Sequence, residues 1–278
     1  MTDEISTPDA PAPGAPSSPP AYPGEGDAIV TRGLTKVFRG VPAVDGLDLR
    51  VRRGRFFGFL GPNGAGKSTT LKMLTGLMRP TSGEALIEGL PVRERLLDVK
   101  RQIGVVPEEL ALYERLTGEE YLLFAGRMYG LPRAQARTRT AELLEFLSLH
   151  DERGKLVVDY SQGMRKKLAL AAALIHNPRV LFLDEPLNGI DPVAGRVVSD
   201  LLRRLAQKGV TLFFTSHVLD VVERLCDEVA VIDRGRLVAQ GTLDQIRAQR
   251  EVAQDASLED VFLKLVAADV ARQDLSWI

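Results

Sequence analysis

Cysteine is almost missing from this chain. Cys226 stands alone, so no internal disulfide can form, and a metal site built from paired thiolates is excluded. A reducing compartment is the expected setting. Long hydrophobic runs are missing as well: the longest uninterrupted apolar stretch, Leu168–Ile175, falls far short of the roughly 20 residues that cross a bilayer. The first residues carry Asp3 and Glu4 where a secretory leader would carry basic residues followed by an apolar stretch, so no leader is expected. Strong net charge is absent too. The formal charge is -1, and residues 1–27 hold five acidic side chains (Asp3, Glu4, Asp9, Glu25, Asp27) with no Lys or Arg. The rest of the chain therefore has a small positive excess, too weak to argue for nucleic acid, and no nucleic-acid partner is expected. There is no internal repeat.

What is present divides the 278 residues into parts. Residues 1–27 contain seven prolines among Ala, Gly and Ser, which cannot sustain a helix or sheet ladder and offer little apolar surface, so they read as a disordered tail. From Ala28 the pattern changes. AIVTRGLTKVF and VDGLDLRV read as short strands of an N-terminal antiparallel β part. FFGFL (Phe56–Leu60) is a buried-strand candidate, and Lys67–Met78 reads as a helix ended by Pro80 and Gly83. IGVV, VLFLD and VTLFFTS continue the strands, with helices expected near Gln162–His176, Pro192–Gln207 and Leu219–Cys226, before the hairpin EVAVIDRGRLVAQG. Such alternation implies an α/β fold with a mainly parallel sheet. Residues of about 110–165 are all helical in pattern and read as an inserted lobe. The expected organisation is a tail over 1–27, one core domain over 28–241 and a short helical extension over 242–278.

Two motifs carry the chemistry. Gly61-Pro62-Asn63-Gly64-Ala65-Gly66-Lys67-Ser68 fits the phosphate-loop pattern G-x-x-x-x-G-K-[ST], with a strand before it and a helix after. Its glycines let successive backbone N–H groups turn inward toward phosphate, and the helix N-terminus favours the same negative charge. Lys67 is expected to reach the β- and γ-phosphates and Ser68 to hold Mg²⁺, with the Thr69 hydroxyl beside it. The second motif is Val180–Pro186, an apolar strand ending in Asp184 and Glu185. Asp184 is expected at the Mg²⁺ water shell, and Glu185 as a general base for the attacking water. Taken alone, such a pair could equally be a solvated strand end.

The order and spacing of these motifs resemble an ATP-binding cassette (ABC) ATPase over roughly 29–241, of the ABC-2, drug and antibiotic exporter type. The fold this implies is a P-loop NTPase core. Between the two motifs that family carries a signature written LSGGQ. Here the place is held by Tyr160-Ser161-Gln162-Gly163-Met164, and the resemblance implies that Ser161 and Gly163 contact phosphate. Ser161 would serve equally well as a plain helix N-cap. The resemblance further implies that Phe38 stacks on adenine, that Asp191 belongs to a loop crossing between two nucleotide sites, and that His217 contacts the γ-phosphate and links to Glu185. On residue type alone, Phe38 could be core and His217 an ordinary loop histidine. Three positions depart from the family pattern. Glu108 stands where Gln is usual, adding a charge beside nucleotide and Mg²⁺, while Gln162 replaces the first signature glycine and Met164 the last polar residue.

The resemblance therefore implies a Mg²⁺-dependent ATPase with ATP held between two cassettes, the second being either another copy or a paralogue. It also implies a separate transmembrane permease. That partner would place the chain peripherally on the cytoplasmic face of the membrane. Residues of about 108–122, with Tyr113 and Leu116, are the expected contact for that permease, or else ordinary lobe core. A soluble ABC ATPase of DNA repair or translation is the alternative function, although neither tandem cassettes nor long coiled-coil inserts are present.

Overall fold

The computed structural model describes residues 26–249 and 256–266. The expected tail over 1–27 therefore lies almost wholly outside the described residues, as does part of the extension after 241. The chain opens with two long strands, β1 (Asp27–Phe38) and β2 (Val41–Arg52), followed by β3 (Phe56–Leu60) and helix α1 (Lys67–Leu74). Strands β4 (Ser82–Ile87) and β5 (Leu90–Pro91), helix α2 (Leu96–Gln102) and strand β6 (Ile103–Val106) come next. Helices α3 (Gly118–Met128), α4 (Arg133–Phe146) and α5 (Gln162–Leu174) then run without an intervening strand. The sequence continues through β7 (Val180–Asp184), α6 (Pro192–Gln207), β8 (Thr211–Thr215), α7 (Leu219–Leu225), β9 (Glu228–Asp233), β10 (Arg236–Gly241), α8 (Leu243–Gln249) and α9 (Leu258–Val266).

Two sheets result. An antiparallel sheet has the order β2-β1-β4-β5, and a second sheet has the order β10-β9-β3-β8-β7-β6. In the second, β9, β3, β8, β7 and β6 are mutually parallel, and β10 closes the edge as an antiparallel hairpin. Arg234 and Gly235 both have positive φ in the two-residue turn of that hairpin, the geometry that matches the twist of its strands. The expected α/β class, the antiparallel part and the mainly parallel sheet are all present. β1 agrees with the expected segment to within one residue, whereas β2 runs beyond VDGLDLRV at both ends, and bulges at Thr31–Leu34 and Leu34–Val37 let the pair continue through polar positions. Helix α1 is shorter: it stops at Leu74 because Gly76 turns the backbone with φ +70, before Pro80 is reached.

Alternation along the central strands separates two cores. Phe57, Phe59, Phe182 and Phe213 face α1 and the antiparallel sheet, whereas Phe56, Leu60, Leu183 and Phe214 face α5, α6 and α7. Phe213 sits in a ring of aromatics, its centroid 5.8 Å from Phe57, 5.2 Å from Phe59 and 5.5 Å from Phe182. Truncating one such ring typically costs about 3–5 kcal/mol. Gly58 interrupts this run for a steric reason. A Cβ there would lie 2.8 Å from Val222 and 3.1 Å from the Cys226 sulfur, so only glycine lets α7 approach β3 so closely.

The helical lobe starts on a capping box. Thr117 accepts from the Glu120 N–H, and Glu120 accepts in return from the Thr117 N–H at 2.9 Å. Helix α5 joins this lobe to the sheet, and at its end His176 packs flat against Tyr129 with ring centroids 3.6 Å apart. Its Nε2 is 2.9 Å from the Ile103 carbonyl, so the neutral ring donates there. Burial lowers its pKa to about 4, outweighing the opposing effect of that hydrogen bond.

This pocket predicts an acid-sensitive joint. Between pH 6.5 and 4 the unfolded chain takes up a proton that the folded His176 refuses, so stability is lost as pH falls through that window. The loss is about 2–3 kcal/mol. Urea midpoints measured at pH 7 and pH 4.5 should differ more for the wild type than for His176→Gln; equal pH dependence would show that His176 is not the group responsible.

Candidate functional site

The parallel register determines what meets at the end of the sheet. Phe59 lies opposite Thr215, and Thr215 opposite Asp184, so β3, β8 and β7 end level with one another. The segments that follow these strands, Gly61–Ser68, Ser216-His217 and Glu185, therefore converge. One cleft is lined by Asn63, Gly64, Gly66, Lys67, Ser68, Thr69, Glu108, Asp184, Glu185, Asn188 and His217, with Ala43 of β2 at its wall.

The glycines of the loop are structural requirements. Gly64 and Gly66 have φ of +82 and +107, and a Cβ on Gly66 would lie 2.5 Å from the Ala43 carbonyl. A Cβ on Gly61 would approach the Ile232 carbonyl to 2.3 Å, which no side chain could accommodate. Pro62 and Ala65 complete the turn, with the Ala65 N–H donating to the Pro62 carbonyl at 3.1 Å. The loop thus wraps around Lys67, whose Nζ donates to the carbonyls of Gly61 at 2.7 Å and Pro62 at 3.1 Å. Burial lowers the Lys67 pKa, and the charges of Glu185, Asp184 and Glu108 oppose that shift. The ammonium group is held at the floor of the cleft, facing three carboxylates.

On the other wall, the buried Asp184 accepts from the Thr215 hydroxyl at 2.5 Å. The next residue, Glu185, is also buried and has φ +48, an uncommon conformation for a residue with a side chain. Its N–H donates to Thr215 at 3.2 Å, and its Oε1 lies 2.9 Å from His217 Nδ1. A carboxylate and an imidazole in that contact can share or relay a proton with a molecule at the cleft centre. Glu108 enters from the loop after β6 and is solvent-exposed where it lines the cleft.

Gly61, Pro62 and Ala65 shape the loop without lining the cleft, and four site residues expected outside the loop are not among its lining either. Phe38 is 44% exposed at the end of β1, with the Lys36 ammonium 5.3 Å from its ring centre, so it is not core. Ser161 is an exposed N-cap of α5, accepting from Met164 N–H at 3.3 Å, and Gly163 follows it in the first turn. Asp191 is likewise exposed and caps α6, accepting from the N–H groups of Val193 and Ala194 at 3.1 and 2.9 Å. Ser161, Gly163 and Asp191 do not line this chain's own cleft.

Two residues of the site escaped the sequence reading. Thr215 holds Asp184 and Glu185 together, yet its importance is visible only once β8 is paired between β3 and β7. Lys166 of α5 is buried and donates to the Glu185 carbonyl at 2.9 Å. The residue pattern alone does not mark it: each member of the run Arg165-Lys166-Lys167 has apolar residues three, four and seven positions on, and only the packing shows that Lys166 is the buried one.

Residues 44–188 match the family profile described as "ABC transporter". The chain is 45% identical over 221 residues to the "Daunorubicin/doxorubicin resistance ATP-binding protein DrrA" of Streptomyces peucetius, covering 80% of this chain and 67% of that one. It is 39% identical over 209 residues to the "Linearmycin resistance ATP-binding protein LnrL" of Bacillus subtilis, covering 75% and 67%. Among solved structures, one described as "Structure of ATP binding subunit of ABC transporter" superposes with a TM-score of 0.81 at 32% identity, over 86% of this chain and 99% of that chain.

The Thr215 contact predicts a selective loss. Thr215→Val keeps the shape but leaves the buried Asp184 carboxylate without its hydroxyl donor, and should destabilise the fold by about 1–3 kcal/mol. Thr215→Ser should restore most of it. Chemical denaturation of the two variants checks this; equal losses would assign the effect to packing rather than to the hydroxyl.

Proposed function

The chain belongs to the ATP-binding cassette (ABC) transporter family, and on that premise we propose that it is the ATP-hydrolysing subunit that powers export through a separate membrane permease. The observation that carries this reading is the convergence in one cleft of the phosphate loop with Asp184, Glu185 and His217. The nucleotide-binding unit spans residues 28–241, the lobe of about 110–165 is its helical insert, and residues 242–278 form an extension.

In this reading the inward-facing loop of Gly61–Thr69 cradles the phosphates of ATP, and the start of α1 adds its favourable field. Lys67 exchanges its loop carbonyls for phosphate oxygens, which restores to a desolvated ammonium the anionic partner it lacks. Phe38, exposed on the β1–β2 hairpin, is available to stack on adenine. Glu185 accepts the proton of the attacking water, and His217, in contact with it, orients that carboxylate and approaches the γ-phosphate.

The donor set fits Mg²⁺. Ser68, Asp184 and Glu108 offer hard oxygen ligands along the same cleft. Among the described residues no cluster of three or more His, Cys, Asp or Glu could cage a metal alone, as expected for an ion that keeps water and phosphate oxygens in its shell. When bound, Mg²⁺ neutralises phosphate charge.

Ser161 and Asp191 are exposed, Gly163 is half-buried in the first turn after Ser161, and none of the three lines its own cleft, which suits contact with ATP held by a second cassette, a copy or a paralogue. Closure of two such faces would exclude water from the reaction. Among the described residues no helix is long and apolar enough to cross a membrane, so the route across belongs to the permease. Tyr113, exposed beside Tyr121 and Phe124, with the half-buried Leu116, offers it an apolar seat on the lobe. The chain then sits peripherally on the cytoplasmic face, and the names of the drug-resistance relatives favour export.

Glu185→Gln should reduce ATP turnover by a hundredfold or more, on the order expected for loss of a general base, while ATP binding persists and a nucleotide-bound dimer accumulates. Turnover assays with size-exclusion chromatography in ATP check this, and undiminished turnover would remove Glu185 as the base. Purification in mild detergent should bring down a stoichiometric polytopic membrane protein, identified by mass spectrometry. Recovery of ribosomal or DNA-repair proteins instead would overturn the transport reading and leave the ATPase assignment in place.

A further inference from the structure

We propose that Lys166 is a positioning residue for hydrolysis, fixing the backbone of Glu185 from the helix that begins at Ser161. The proposal rests on Glu185 being the base and names what holds it in place.

Glu185 sits in the left-handed region at φ +48, where a residue with a side chain is uncommon and strained unless its surroundings impose it. Two contacts from outside its own loop impose it. Its N–H is tied to Thr215 at 3.2 Å, and its carbonyl accepts from the Lys166 ammonium at 2.9 Å, besides the local N–H of Asn188 at 3.2 Å. The two ties come from different elements, β8 and α5, and grip opposite sides of one residue. With both in place the direction of the Cα–Cβ bond is set, and so is the approach of the carboxylate to His217 Nδ1 at 2.9 Å.

Lysine is a costly choice for this task. Lys166 is buried, which lowers its pKa, while the charges of Glu185 and Glu108 act in the opposite direction. A neutral donor could satisfy a carbonyl at less desolvation cost. The positive charge gains its value from where it lies: it approaches Glu185 from behind, while Lys67 faces the same carboxylates from the loop. Glu108 adds a negative charge to a cleft that must also accept polyphosphate, and Lys166 is a buried cation that opposes it without belonging to the phosphate loop.

The connection also has direction. Lys166 lies in the second turn of α5, five residues beyond Ser161, the proposed contact to ATP on a second cassette. A rigid helix turn thus joins the face that meets the neighbouring nucleotide to the backbone of this chain's own base. Displacement of α5 on closure would be felt at Glu185 directly. ATP binding would not depend on this joint, because the phosphate loop is built from β3 and α1.

The test uses the full chain in the assembly with which it purifies. Lys166→Met, which lacks donor and charge, is expected to lower kcat for ATP about tenfold or more while KM stays within about twofold. Lys166→Arg, which restores both, should recover turnover to within about threefold of wild type. In a Glu185→Gln background, Lys166→Met should leave the ATP-trapped dimer intact, since trapping needs closure and not the base. Wild-type kcat in Lys166→Met, a rise in KM with kcat unchanged, or loss of the trapped dimer would each overturn the proposal. If Lys166→Met does not fold, Lys166→Gln carries the same expectation of a loss in kcat alone, and wild-type kcat in that variant would overturn it. Failure of the underlying reading looks different: Glu185→Gln itself would keep its turnover, whatever stands at position 166.

Discussion

Phe59, Thr215 and Asp184 lie side by side across three parallel strands, and every feature of the cleft depends on that register. A slip of one residue in β8 would turn Thr215 away from Asp184 and move its neighbours to the opposite face of the sheet. The register is held by burial on both faces, with Phe57, Phe59, Phe182 and Phe213 on one side and Phe56, Leu183 and Phe214 on the other. Precision at the polar strand ends is thus supplied by apolar packing one or two residues away. Because the strands are parallel, their C-terminal ends share one edge, and ligand-binding loops gather there.

Charge balance is the second constraint. Asp184, Glu185 and Glu108 lie around a space that is to receive polyphosphate, and the buried cations facing them are Lys67 and Lys166. The two lysines enter from different parts of the chain, one from the phosphate loop and one from α5. They can therefore respond to different events: Lys67 to nucleotide arriving in this cleft, Lys166 to movement of the lobe. Exposure of Glu108 keeps its effect screened while the cleft is open, and exclusion of water would strengthen it.

The same geometry explains why one chain is half of the machine proposed here. Ser161 and Asp191 are already satisfied as helix caps, with their side chains bound to their own backbones. They are not waiting for a ligand within the chain. What remains available at the start of α5 is its first-turn backbone N–H groups, suited to an anion presented from outside, whereas at α6 the Asp191 carboxylate already takes those of Val193 and Ala194.

Much of this was legible in the residues alone. The phosphate loop is a local motif: its glycines and lysine act within eight residues, so order and spacing suffice to identify it. The parallel sheet was readable because strands buried on both faces are continuous apolar runs, and the hairpin because Arg234-Gly235 separates two of them. α1 ends at Leu74 and not near Pro80 because Gly76, in the left-handed region, stops the helix at once. The remainder belonged to tertiary structure. That Phe38 is exposed, that Gly58 admits α7 and that Ser161 turns outward all depend on neighbours distant in the chain. So do the grips of Thr215 and Lys166 on Asp184 and Glu185, since a hydroxyl and an ammonium 31 and 19 residues away reveal their partners only when strand register and helix packing have brought them together.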